Sequence, residues 1–95
     1  MPYINFSVLQ KNFSSQPGDI FLRNESLIGV WIIKDRVHLN FGGAFLEVHF
    51  NPKDKDSESE AKRFANDLMA GKTDIAEYVP KIVKYHFDNN SMLKQ

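Results

Sequence analysis

Residues 37–50, VHLNFGGAFLEVHF, decide the fold. Apolar and polar side chains alternate on both sides of Gly42-Gly43, and a glycine pair takes positive φ without steric cost, so the stretch predicts a hairpin with a two-residue turn. Phe41 then faces Ala44, Leu39 faces Leu46 and Val37 faces Val48, with Asn40/Phe45, His38/Glu47 and Arg36/His49 as the intervening pairs. A second turn on Lys34-Asp35 continues the ladder, setting Ile32 against Val37, Trp31 against His38 and Val30 against Leu39. Lys-Asp is not a favoured pair for such a turn.

This register separates two faces. One collects Ile28, Val30, Ile32, Val37, Leu39, Phe41, Ala44, Leu46, Val48 and Phe50, with no polar member. A slip of one residue would turn all of them to the other side, so the pairing is strongly specified. Burying each large member contributes ~1.5–3 kcal/mol, which makes this meander the expected centre of the fold.

Working outward, residues 3–8 (YINFSV) alternate weakly and read as an edge strand, residues 10–19 as a loop, and IFLR at 20–23 as a short strand closed by Asn24-Glu25-Ser26. Residues 51–56 form a solvated loop. In SESEAKRFANDLMAG, Ser57 and Glu60 have capping-box spacing, Ala61, Phe64, Ala65, Leu68 and Met69 recur at helical spacing, and Gly71 is a stop. This helix is the expected lid on the apolar face. Asp74 and Glu77 suggest a second helix whose apolar side is Ile75, Val79, Ile82, Val83 and His86 or Phe87, kinked or restarted at Pro80.

Strands followed by helices predict an α+β domain spanning residues 1–95. Its antiparallel β-meander lies within about 3–50, and one or two C-terminal helices within about 57–88 pack on the apolar face. IFLRNESLIGVWIIKDRVHLNFGGAFLEVHF followed by SESEAKRFANDLM resembles a group of small bacterial proteins of unknown function. They share a short strand, an Asn-containing turn, an apolar strand, a hairpin and a helix of the E-A-x-x-F type. The resemblance spans residues 20–70 and implies the fold; it brings no active site with it.

Composition narrows the function classes. The 95 residues carry twelve basic and twelve acidic side chains, so no global field draws in nucleic acid or an anionic membrane. Cysteine is absent, which removes disulfides and thiol chemistry. The first thirteen residues lack the apolar core of a signal peptide and no stretch is long enough to span a bilayer, so the expectation is a cytoplasmic protein without membrane attachment. The N-x-[ST] triplets at Asn5, Asn12, Asn24 and Asn89 are then chance matches.

The second sheet face is where a function is expected. It presents Trp31, Ile33, Arg36, His38, Asn40, Phe45, Glu47 and His49, aromatics mixed with imidazoles rather than the lysines and threonines of an ordinary wet face. Trp and Phe ringed by His, Asn and Arg have the composition of an interface centre with a polar rim. The cover is either a second copy or other chain, or the protein's own residues 3–8 and 20–23. A single-stranded nucleic-acid platform ranks second: Trp31 and Phe45 could stack bases with Lys34 and Arg36 at the rim, but Glu47 sits in the middle and there is no basic stripe. A divalent metal on His38, Glu47 and His49 ranks third, because a cross-strand His–Glu pair explains the same residues. No catalytic set is assembled: the serines lack a nucleophile elbow, NFGGAF lacks the Lys and helix of a phosphate loop, and DKDSESE lacks the calcium-loop glycine. The expectation is a non-catalytic protein-interaction module that self-associates through the Trp31/Phe45 sheet face and uses no cofactor.

Overall fold

A computed structural model describes residues 3–11 and 19–89. Strands β1 (Tyr3–Asn5) and β2 (Phe21–Arg23) make a two-stranded antiparallel sheet, and β3 (Gly29–Ile33), β4 (Arg36–Asn40), β5 (Ala44–Phe50) and β6 (Ile82–Asn89) make a four-stranded antiparallel sheet in chain order. Helix α1 (Ser57–Met69) follows β5 in the chain and packs on β3, β4 and β5. The architecture is α+β.

The expected hairpin registers are those observed. Asn40 pairs with Phe45, His38 with Glu47, Arg36 with His49, Trp31 with His38 and Ile32 with Val37. Gly42 alone of the glycine pair takes positive φ, at 93°, and Phe41 N–H donates to Ala44 O at 2.8 Å to close the turn. Lys34 closes the other turn in a left-handed conformation at φ 55°, an uncommon state for a side chain of its length. The alternation of apolar residues fixes the register there despite the unfavoured turn pair.

Val37, Leu39, Phe41, Ala44, Leu46, Val48 and Phe50 are buried, with Val30 and Ile32 partly so. Ile28 departs from the expectation: it precedes β3 and is 70% exposed. On the helix, Ala61, Phe64, Ala65 and Leu68 face the sheet, whereas Met69 in the last turn is exposed. Gly71, at φ 99°, ends the helix as expected: its N–H donates to Leu68 O and Lys72 N–H to Asp67 O, the two bonds of a Schellman motif. The capping box does not form. Ser57 is a buried first-turn residue, Asp56 occupies the cap position without a side-chain bond, and the Glu60 carboxylate turns instead to Arg63 and Lys81.

The second helix is a correction. Residues 76–81 form only a short 3₁₀ turn, and residues 82–89 are strand β6, paired with β5 from Phe50–Ile82 to Ala44–Asn89 with an irregularity at His49/Phe50. Pro80 leaves too few residues after Asp74 for a stable helix. Beyond it, Ile82, Tyr85 and Phe87 alternate with Lys84, His86 and Asp88 once Val83 is taken as the extra residue of a bulge. The Asp74 carboxylate accepts from Ala76 N–H in a local turn, and Glu77 pairs with Arg63 and Lys72.

The N-terminal segment is a correction in part. Only residues 3–5 of the span 3–8 are strand; Phe6–Lys11 is a 3₁₀ turn. Ile4, Phe6, Leu9 and Ile20 enter the main core, with the Phe6 ring edge-on to Phe41 at 6.0 Å. The segment therefore lies with α1 on the apolar side of the sheet. The loop over 10–19 and the tail after 89 fall largely outside the described residues.

Candidate functional site

The outer sheet face is ordered in three rows by the strand register. Trp31, His38, Glu47 and His86 form the central row; Ile33, Arg36, His49 and Lys84 lie on one side of it, and Gly29, Asn40, Phe45 and Asp88 on the other. All eight residues expected on this face share it. Three more, Lys84, His86 and Asp88, were hidden by reading β6 as helix; the alternation of residues 84, 86 and 88 is the signal that could have found them. All three histidines of the chain therefore stand on one surface.

Glu47 is the electrostatic centre. Its carboxylate accepts a short hydrogen bond from His49 Nε2, and His38 Nδ1 lies 3.8 Å from its other oxygen. Burial pushes the Glu47 pKa up, but the His49 hydrogen bond and the charges of His38, His49 and Arg36 outweigh it, so the group sits below its ordinary 4.5. His86 flanks it from β6. A depressed carboxylate stabilises the folded state fully above its unfolded pKa and loses that contribution as pH falls through the folded value. Glu47→Gln is thus expected to lower the urea midpoint at pH 7 and to match wild type in acid well below pH 4.5. Equal midpoints at pH 7 would show that the pairing contributes nothing.

The metal reading gains no support from this geometry. Among the described residues, no group of three His, Cys, Asp or Glu side chains is placed to hold an ion. His49 and Glu47 bond to each other rather than converging on a shared point.

The aromatic part of the face is open. Trp31 is 65% exposed and Phe45 41%, and the Trp31 ring leans on His38 with centroids 5.4 Å apart. Trp31 and Phe45 both line a depression of about 440 Å³, together with Gly29, His38 and Asn40. Residues 3–8 and 20–23 do not cover it, since they pack on the opposite side of the sheet. No described helix is long and apolar enough to cross a membrane. No protein-family model, curated protein or solved structure matches the chain.

Proposed function

We propose that the protein is a non-catalytic interaction module that self-associates through the Trp31/Phe45 face. The carrying observation is that two large rings and Ile33 stand exposed on one sheet surface with no described segment over them. Exposed large apolar side chains grouped on one face, interspersed with His, Asn and Arg, are characteristic of contact sites rather than of free monomer surface. Neutral overall charge favours a protein partner over a polyanion. The second reading, a single-stranded nucleic-acid platform, draws on Lys84 and Arg36 in one row with His49, set against Glu47 and Asp88 on the same face.

The double change Trp31→Ser, Phe45→Ser tests the first reading. The expected product is a folded, more soluble monomer of smaller hydrodynamic size than wild type. An unchanged elution volume together with an unchanged melting temperature would mean that the face is ordinary wet surface. Trp31 fluorescence separates the second reading: a response to protein concentration belongs to self-association, and a response to oligonucleotide at low salt to the platform.

A further inference from the structure

We propose that two copies join edge to edge through β3, antiparallel about a two-fold axis at Val30, with Trp31 of each copy lying over Gly29 of the other. This rests on the self-association reading and names its geometry. Among the described strands, β3 and β6 are the two edges of the main sheet. They are built differently. The β6 edge carries Lys84, His86 and Asp88 and a bulge at Val83, the features that keep an edge from pairing with another strand. The β3 edge has none of them: LIGVWII, residues 27–33, holds no charge and no proline.

Among the described residues nothing accounts for glycine at position 29. It lies outside the left-handed region, so its backbone does not require glycine. A Cβ there would meet the Asn40 Cβ at 3.6 Å, ordinary contact, so room does not require glycine either. A glycine in a strand is unfavourable unless something approaches closely, and a cross-strand aromatic ring is the recognised compensation. Here the in-register neighbour is Asn40. A second β3 centred on Val30 sets Trp31 opposite Gly29, Ile28 opposite Ile32 and Leu27 opposite Ile33. The Ile28 N–H stays on Asn40 O, so the new bonds run between the two Val30 residues and from Ile32 N–H to Ile28 O, and no charge enters the ladder.

The surface around this edge suits the arrangement. The 440 Å³ depression lies on the outer side of Gly29-Val30, and another of about 260 Å³, lined by Leu27, Leu68 and Met69, lies on the α1 side. A strand added here sends alternate side chains into the two. Ile28, Trp31, Ile33 and Met69, on or beside this edge, are 70%, 65%, 38% and 53% exposed. Together they offer on the order of 400 Å² of apolar area per copy, about half of the ~800 Å² per partner of a standard interface, before the backbone edge is added.

The absence of cysteine makes the test direct, because any disulfide in a single-cysteine variant is intermolecular. Directly opposed residues of an antiparallel pair have Cα atoms roughly 4.5–5.5 Å apart, within disulfide range. Val30→Cys is expected to convert mostly to covalent dimer under mild oxidation, while His38→Cys, in the middle of the sheet, stays monomeric on a denaturing gel. Gly29→Val occupies the space over position 29 that Trp31 of the second copy would take and is expected to weaken dimerisation at least tenfold by light scattering, with an unchanged circular dichroism spectrum. A wild-type dimer whose Val30→Cys variant fails to cross-link, or whose His38→Cys variant cross-links instead, overturns the edge geometry and leaves self-association standing. A wild type that is monomeric at millimolar concentration overturns both.

Discussion

Leu46→Ala is expected to lower the unfolding free energy by about 2–5 kcal/mol, the range for truncating a leucine in a core that cannot close around the cavity. Leu46 is 1% exposed and sits between Leu39 of β4 and Phe87 of β6, on the sheet face that α1 covers. Its neighbours are held by backbone ladders on both sides, so the void stays open. Val83→Ala is the matched control. Val83 is 44% exposed at the irregular point of β6, and its truncation is expected to stay within about 0.5 kcal/mol. Were residues 82–88 helical with Val83 on the apolar side, both changes would be costly. Urea unfolding of the two variants checks the register of β5 and the nature of β6 together, and a Leu46→Ala midpoint equal to wild type would remove the basis for both.

The legible part of this protein is the part in which every local preference agrees. Between Val30 and Phe50, alternation, β-branched residues and a glycine turn all specify one register, and even Lys34, poorly suited to its turn, is held to it at φ 55°. The outer-face residues of β3 to β5 followed from that register without further information. After Gly71 the signals conflict. Ile75, Val79 and Ile82 have helical spacing while Ile82, Tyr85 and Phe87 alternate once a bulge is allowed, and nothing local says that β5 has an unfilled edge to pair. Tertiary demand decides for the strand. The same error hid the β6 neighbours of this face, because His86 comes opposite Glu47, and Lys84 opposite His49, only through β6. The N-terminal segment was illegible for another reason: Ile4 and Phe6 are apolar enough to cover either face, and only the three-dimensional space beside Phe41 and α1 assigns them to the core.

Tyr78→Ala is expected to destabilise the protein by about 3–5 kcal/mol, as much as the largest aromatic truncations. The Tyr78 ring is fully buried and meets Phe64 edge-on at 5.0 Å and Phe50 at 6.3 Å, with the Arg63 guanidinium 4.7 Å above its centroid. This ring pins the 3₁₀ turn at 76–81 to α1 and so sets where β6 begins. Its hydroxyl donates a short hydrogen bond to Asp67, which also pairs with Lys72 at 3.6 Å. Tyr78→Phe keeps the packing and removes only that bond, so about 1–2 kcal/mol is expected. Burial, reinforced by the Asp67 hydrogen bond and charge, holds the phenol protonated well above its ordinary 10.0. A raised folded pKa gives a contribution that is complete below the unfolded pKa and is lost as pH rises above it, because the unfolded chain then ionises first. Wild type is therefore expected to lose stability above pH 10 through Tyr78, and Tyr78→Phe to lose less over the same interval. Melting temperatures of the two proteins from pH 8 to 11 measure this, and parallel curves would show that the hydroxyl is not sequestered in the fold.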